Sequence, residues 1–274
     1  YSVGLQYSNQ DEDFEGGVQL TRRLADAQSE PAWINGKGGG MSLTIWGVYA
    51  KKKAGKFNIG VEAPIYNGQL IGYDYKAFAL ATEVNYRASD TWSFLAKAGK
   101  VPGQRNSGTA NPEKWTMVYF HPNYRLGLLM FNYNFGNFAG NNNPNNTAVS
   151  TTKSIYDDPI TNANYLMLGA TLSADKWRFS GGVITAKANE TAKAGQNYFN
   201  TWTRTYSTSP ATRDQGSSLG TEFDLGVALD WDEFTTFALD FGILSRGDFY
   251  KFGDAVDSDL KTMFGADGSV GVRF

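Results

Sequence analysis

The chain has no cysteine, one histidine and only 8 prolines in 274 residues. The lack of cysteine excludes a disulfide scaffold and a thiolate metal site. With His121 as the lone imidazole, a transition-metal centre is short of ligands. No metal and no cofactor is expected. No charge of one sign dominates either: 25 Lys plus Arg stand against 27 Asp plus Glu, a net charge of -2. That balance gives no attraction for a polyanion such as nucleic acid. The glycine-rich stretch 35–40 is no phosphate loop, because Lys37 is not followed by Ser or Thr. Also missing is any run of about 18 apolar residues, the length a membrane helix needs. A mean hydropathy of -0.39 ordinarily marks a water-soluble protein. That inference fails where only every second residue of a strand meets apolar surroundings.

What is abundant is glycine (31 residues) and aromatic side chains (15%), a balance that favours strands. The dominant pattern is period-two alternation, which puts successive side chains on opposite faces of a strand. In 219–231, Leu219, Thr221, Phe223, Leu225, Val227, Leu229 and Trp231 share one face, with Gly220, Glu222, Asp224, Gly226, Ala228 and Asp230 on the other. Phe237, Leu239, Phe241 and Ile243 repeat it against Ala238, Asp240 and Gly242. So do Phe78 to Tyr86, Phe57 to Ala63 and Tyr1 to Tyr7. Weaker strands are read near 14–23, 41–51, 92–101, 114–121, 124–135, 163–173 and 176–187. Three of these, 41–51, 114–121 and 124–135, carry apolar residues on both faces. The chain reads as a single domain over 1–274.

The connections sort by length. Short ones fall near 9–13, 52–55, 88–90, 121–123, 174–176 and 230–233; long ones near 24–38, 65–74, 102–112, 136–162, 188–216 and 247–262. Strict short–long alternation fits an all-β, transmembrane, antiparallel up-and-down β-barrel, with tight turns on one side of a membrane and longer loops on the other. Thirteen strands are legible, the last at 264–274. Single-chain bacterial barrels have an even number. The expectation is therefore 14 strands in the whole protein, one of them before Tyr1, with 12 as the alternative.

Three features point the apolar face at lipid. Trp92, Trp177 and Trp231 each stand beside a short turn on the apolar face, and Phe57 holds the same position. Stacked around a barrel they form an aromatic ring at the membrane–water interface. The polar face mixes small residues with scattered charges, as a hydrated interior requires: Glu62, Glu83, Arg87, Lys97, Arg178, Glu222, Asp224, Asp240, Arg246 and Arg273. The third feature is the end of the chain, FGADGSVGVRF from Phe264 to Phe274. A last strand closing on Phe274 resembles the assembly signal of Gram-negative outer-membrane barrels. Together with the strand-and-loop pattern it is similar to the class of monomeric porin-like channels. That resemblance implies the cell outer membrane as location, the barrel assembly machinery as a partner during insertion, and membrane lipids and lipopolysaccharide as surroundings.

Three function classes follow. A barrel of about eight strands is filled by its side chains, and one of 16–18 encloses water; the intermediate size expected here predicts a narrow channel for passive passage of small solutes or ions. The inward acids favour cations, with ion pairing between neighbouring strands as the competing role. A docking barrel is the second class, resting on the loops 136–162 (with the run Asn141 to Asn146) and 188–216 (with Tyr198, Phe199, Trp202 and Tyr206) as contacts for a protein partner. An outer-membrane hydrolase is the third. His121, beside Pro122 in a turn and without a nucleophile pattern, argues against an enzyme.

Overall fold

The computed structural model describes residues 1–25, 40–121, 123–132, 160–200, 205–253, 255–257, 259 and 261–273. The Asn-rich run, Trp202 and Phe274 lie outside the described residues. The strands are β1 (Ser2–Asn9), β2 (Phe14–Ala25), β3 (Met41–Ala54), β4 (Phe57–Leu70), β5 (Tyr73–Phe78), β6 (Leu80–Arg87), β7 (Trp92–Val101) and β8 (Lys114–Trp115). They continue as β9 (Ala163–Ala174), β10 (Trp177–Lys187), β11 (Phe199–Asn200), β12 (Thr205–Tyr206), β13 (Ser218–Asp230), β14 (Thr235–Arg246) and β15 (Met263–Val272). Among the described residues no helix is long and apolar enough to cross a membrane.

Thirteen of these strands form one sheet. Its path runs β1-β2-β3-β4-β6-β7-β9-β10-β13-β14-β15, and every ladder along it is antiparallel. β5 continues β6 across Ala79, since both pair with β4; β8 adds a two-residue parallel contact to β5. The sheet therefore holds thirteen strand segments, but eleven positions across.

The count agrees with thirteen only by compensation. The stretches 114–121 and 124–135 are not strands of the sheet: apart from Lys114–Trp115, their described residues have no ladder. They run along one face of the sheet, buried on all sides at Trp115, Met117, Val118, Leu126, Leu129 and Met130. Apolar residues in both registers reflect a segment surrounded by protein. Conversely, 65–74 is not a loop. β4 and β5 pair through Leu70 and Tyr73 around the two-residue turn Ile71-Gly72, whose φ values of 56° and 72° are both positive, as a primed hairpin turn requires.

Alternation gives the sheet two unlike faces. One is bare and apolar: Leu225 is 68% exposed, Phe223 57% and Phe241 48%, with Trp46, Val61, Phe94, Leu168, Phe179 and Leu239 alongside. The other is covered by residues 115–121 and 123–132, which touch Tyr75 of β5, Tyr165 of β9, Ile184 of β10, Glu222 of β13 and Gly265 of β15. One short segment reaches strands this far apart only because the sheet curves around it. Leu219 departs from the reading. It is 4% exposed, because Gly220 (φ 110°) and a register shift at Ala186/Lys187 form a bulge that turns it to the covered face.

An arginine placed on each face tests whether the bare one meets hydrocarbon. Leu225→Arg on the bare face is expected to cost roughly 2–4 kcal/mol of folding free energy in lipid vesicles. Ser269→Arg, in the other register of β15, should cost less than about 1 kcal/mol. Reversible denaturant unfolding in vesicles measures both.

Candidate functional site

The covered face is built by two devices, a pinned peptide segment and the wall it leaves open. The pin is on β13. Leu128 donates its backbone N–H to Asp224 Oδ2 at 3.1 Å, Leu129 to Glu222 Oε1 at 2.6 Å and Met130 to Glu222 Oε2 at 2.5 Å. Three successive amides converging on carboxylates make an anion nest, here occupied by the protein's own side chains. Asn132 Nδ2 closes the turn on the carbonyls of Gly127 and Leu128. Position 127 must be glycine: a Cβ there would lie 2.3 Å from Ile184 Cδ1 and 2.8 Å from both a Glu222 and an Asp224 oxygen. Asp224 Oδ1 is buried with no hydrogen-bond partner among the described residues.

The segment's other end is held by tyrosines. Tyr75 Oη donates to the Met117 carbonyl at 2.6 Å, and Tyr124 and Tyr165 share a hydrogen bond of 3.0 Å. The Lys97 ammonium sits 5.2 Å from the centre of the Tyr124 ring, within cation–π range.

Beyond Tyr124 the wall of β3, β4 and β6 stays open. It lines a cavity of about 410 Å³ with Tyr49, Asn58, Glu62, Glu83, Asn85 and Tyr124 among its walls. Glu83 and Lys97, directly opposite in register, form an ion pair of 3.3 Å. Glu62, one strand over, has no ion pair among the described residues. On the far wall Asp240 faces Asp267 directly across β14 and β15. The arrangement offers an ion unpaired carboxylates, amides and hydroxyls, a polar surface able to replace part of a hydration shell.

At the long-loop end three connections fold into a cap. Asn162 Oδ1 accepts the N–H groups of Asn189 and Glu190, and Asn162 Nδ2 donates to the Glu190 carbonyl. Trp115 meets Phe199 edge to face at 5.7 Å. Ala192, Tyr198, Ala211 and Phe252 form a small core. Burial pushes the Glu190 carboxyl up. Asp214 is held low by the Ala194 N–H and by Lys193, whose ammonium is 3.2 Å away.

Of the sequence-derived residues, Glu62, Glu83 and Lys97 come together, and Asp240 lies over Gly226 on the same face. Glu222 and Asp224 share that face, but Glu222 is fully buried beneath the segment and meets no open water. Among the described residues, three of the remaining cations have partners elsewhere. Arg87 pairs with Asp90 in a turn (3.2 Å), Arg178 with Asp230 at 3.5 Å, and Arg246 donates to the Lys261 carbonyl at 2.8 Å. Arg273 follows β15 and is exposed. Trp92, Trp177, Trp231 and Phe57 stand at the short-turn ends, exposed. His121 Nδ1 accepts the Asn123 N–H. Tyr124, Tyr165 and Asp267 were not singled out from the sequence.

Glu222→Ala is expected to strip two amides of their partner. The cost is at least about 2 kcal/mol, and residues 126–132 should exchange their amide hydrogens much faster by mass spectrometry. Unchanged protection there would mean that the carboxylate does not hold the segment.

No family model matches the chain, and no curated protein matches it. Among solved structures it is similar to one titled "NanC porin structure in rhombohedral crystal form". The match covers 100% of this chain and 92% of that chain, at 7% identity and a TM-score of 0.40. A likeness at that level says nothing of what passes through or binds to this chain.

Proposed function

We propose that the chain forms a porin-like channel in the outer membrane of a Gram-negative bacterium, passing small hydrophilic solutes or ions passively through a polar lumen. The observation that carries this reading is the contrast between the faces. The bare face exposes a band of Trp, Phe, Leu, Ile and Val, while the face turned to the curve's interior holds a cavity of about 410 Å³ that carries Glu62, Glu83, Asn58 and Asn85. Hydrocarbon tolerates strands only where every backbone N–H and C=O is paired, which demands closure. The eleven-position path makes β1 and β15 run in the same direction. Closing with antiparallel neighbours throughout needs an odd number of further strands between them, one for a barrel of twelve or three for a barrel of fourteen.

In this reading residues 115–132 narrow the bore, and conduction follows the open wall past Glu62 and Glu83. The aromatic row Phe57, Trp92, Trp177 and Trp231 meets the inner interface. Transport needs no bond-making step, so no residue is assigned a catalytic role. The cap at the long-loop end favours a second reading, a docking surface for a protein partner.

Purified protein in a planar bilayer should give discrete conductance steps. Glu62→Gln should lower the cation-to-anion permeability ratio, since a carboxylate without an ion pair among the described residues is lost from the open wall. Electrical silence from folded, inserted protein would overturn the channel and leave the docking reading. Releasing the segment with Glu222→Ala is expected to raise single-channel conductance; an unchanged value would mean that the segment does not restrict the path.

A further inference from the structure

The bare face has a second boundary, at the long-loop end of the strands. The last apolar row there places Ala98 opposite Leu166, with Leu166 opposite Thr185 in turn. One step outward on the same face, Lys100 stands opposite Asn164, and Asn164 opposite Lys187. All three are exposed. Neighbouring strands are about 4.8 Å apart, so the two lysine stems leave the sheet roughly 10 Å apart with an amide between them. Neither ammonium has an ion pair among the described residues.

The cap adds to this charge. Exposed Arg105, Lys100 and Lys193 each act on the half-buried Glu190. Lys193 is spoken for by Asp214, and burial weakens Glu190 as a competing anion. Lys100 is eight residues from Trp92 on one strand, about 26 Å of chain. On a strand tilted by roughly 35–45° that chain length spans about 20 Å along the membrane normal, so tryptophan and lysine bracket an apolar band somewhat shorter than the roughly 25 Å typical of outer-membrane barrels.

We infer that Lys100, Asn164 and Lys187 form a docking row for the phosphorylated headgroup of an outer-leaflet lipid. The occupant is a lipid because the row is flush with the band: a ligand seated on it must lie in the bilayer plane, its acyl chains along Ala98, Leu166 and Phe94. It is a phosphate-bearing lipid because the row offers two ammoniums and a carboxamide donor, and among the described residues their partners in register, Leu80, Asn164 and Ser218, include no acid. The opposite boundary is built differently. There the Lys52 and Lys176 ammoniums are already bound to the carbonyls of Glu12 and Trp231. The assignment rests on the outer-membrane reading above.

Native mass spectrometry of the detergent-solubilised protein, titrated with bisphosphorylated lipid A in chelator, tests it. Removing two lysines near an anionic headgroup should weaken binding about 30-fold, so the double variant Lys100→Gln/Lys187→Gln should bind that much more weakly than the natural protein. Lipid A stripped of phosphate should bind the natural protein as weakly as phosphorylated lipid A binds the variant. Lys52→Gln/Lys176→Gln should leave binding unchanged. Equal affinity of the Lys100/Lys187 variant, equal affinity for dephosphorylated lipid A, or an equal loss from the Lys52/Lys176 pair would each overturn the row. Conductance of the same samples separates the two proposals. Lipid binding as expected without conductance sinks the channel alone, and conductance with phosphate-blind binding sinks the row alone.

Discussion

The alternation of side chains along each strand is the constraint on which the rest of the structure depends. Because neighbours point to opposite sides, a strand such as β14 sends Phe237, Leu239, Phe241 and Ile243 one way and Ala238, Asp240 and Gly242 the other. Repeated across eleven positions, this yields a sheet that is oily on one side and polar on the other. Neither side is stable in the other's surroundings. A hydrocarbon exterior and a wet interior satisfy both, and the curvature that brings β5 and β15 to one internal segment follows from the same partition.

Within that frame the internal segment poses its own difficulty. Peptide amides brought into a confined space must find acceptors, since each one left unpaired costs about 1–3 kcal/mol. Glu222 and Asp224 supply them for three successive residues, at the expense of burying carboxylate there. Glycine at 127, 242 and 265 gives the segment room, because a Cβ at any of them would press on it or on its carboxylates. A side chain that resembles lumen lining in sequence thus serves as an anchor. Glu62, Glu83 and Lys97 instead stand together on the open wall.

Legibility followed local chemistry. Strands with one clean stripe, at Phe57–Ala63, Thr221–Leu229 and Phe237–Ile243, lie where the pattern puts them, and the tryptophans stand beside short turns as expected. The errors have physical causes. The hairpin at Ile71-Gly72 lacks the Asn-Gly or Asp-Gly signal of its turn type, and a buried, β-branched residue with positive φ is unreadable from propensity. Residues 114–132 look strand-like because apolar side chains recur in both registers, the trace of a segment enclosed by protein. Gly127 was the available clue. Leu219 crossed faces at a bulge that Gly220 permits. Which charges pair with which depends on register and turn geometry, so the partners of Arg87 (Asp90), Arg178 (Asp230) and Arg246 (the Lys261 carbonyl) were not legible in the sequence.

The absence of native cysteine allows the central claim to be tested one position at a time. Single cysteines placed along β14 from residue 237 to 243, in protein inserted into vesicles, can be titrated with a membrane-impermeant maleimide and with a lipid-soluble quencher of the attached fluorophore. Positions 238, 240 and 242 are predicted to react with the aqueous reagent. Positions 237, 239, 241 and 243 should resist it and be quenched from the lipid. A reversed pattern, or equal reactivity on both registers, would contradict the assignment of the oily face to the membrane and the polar face to water.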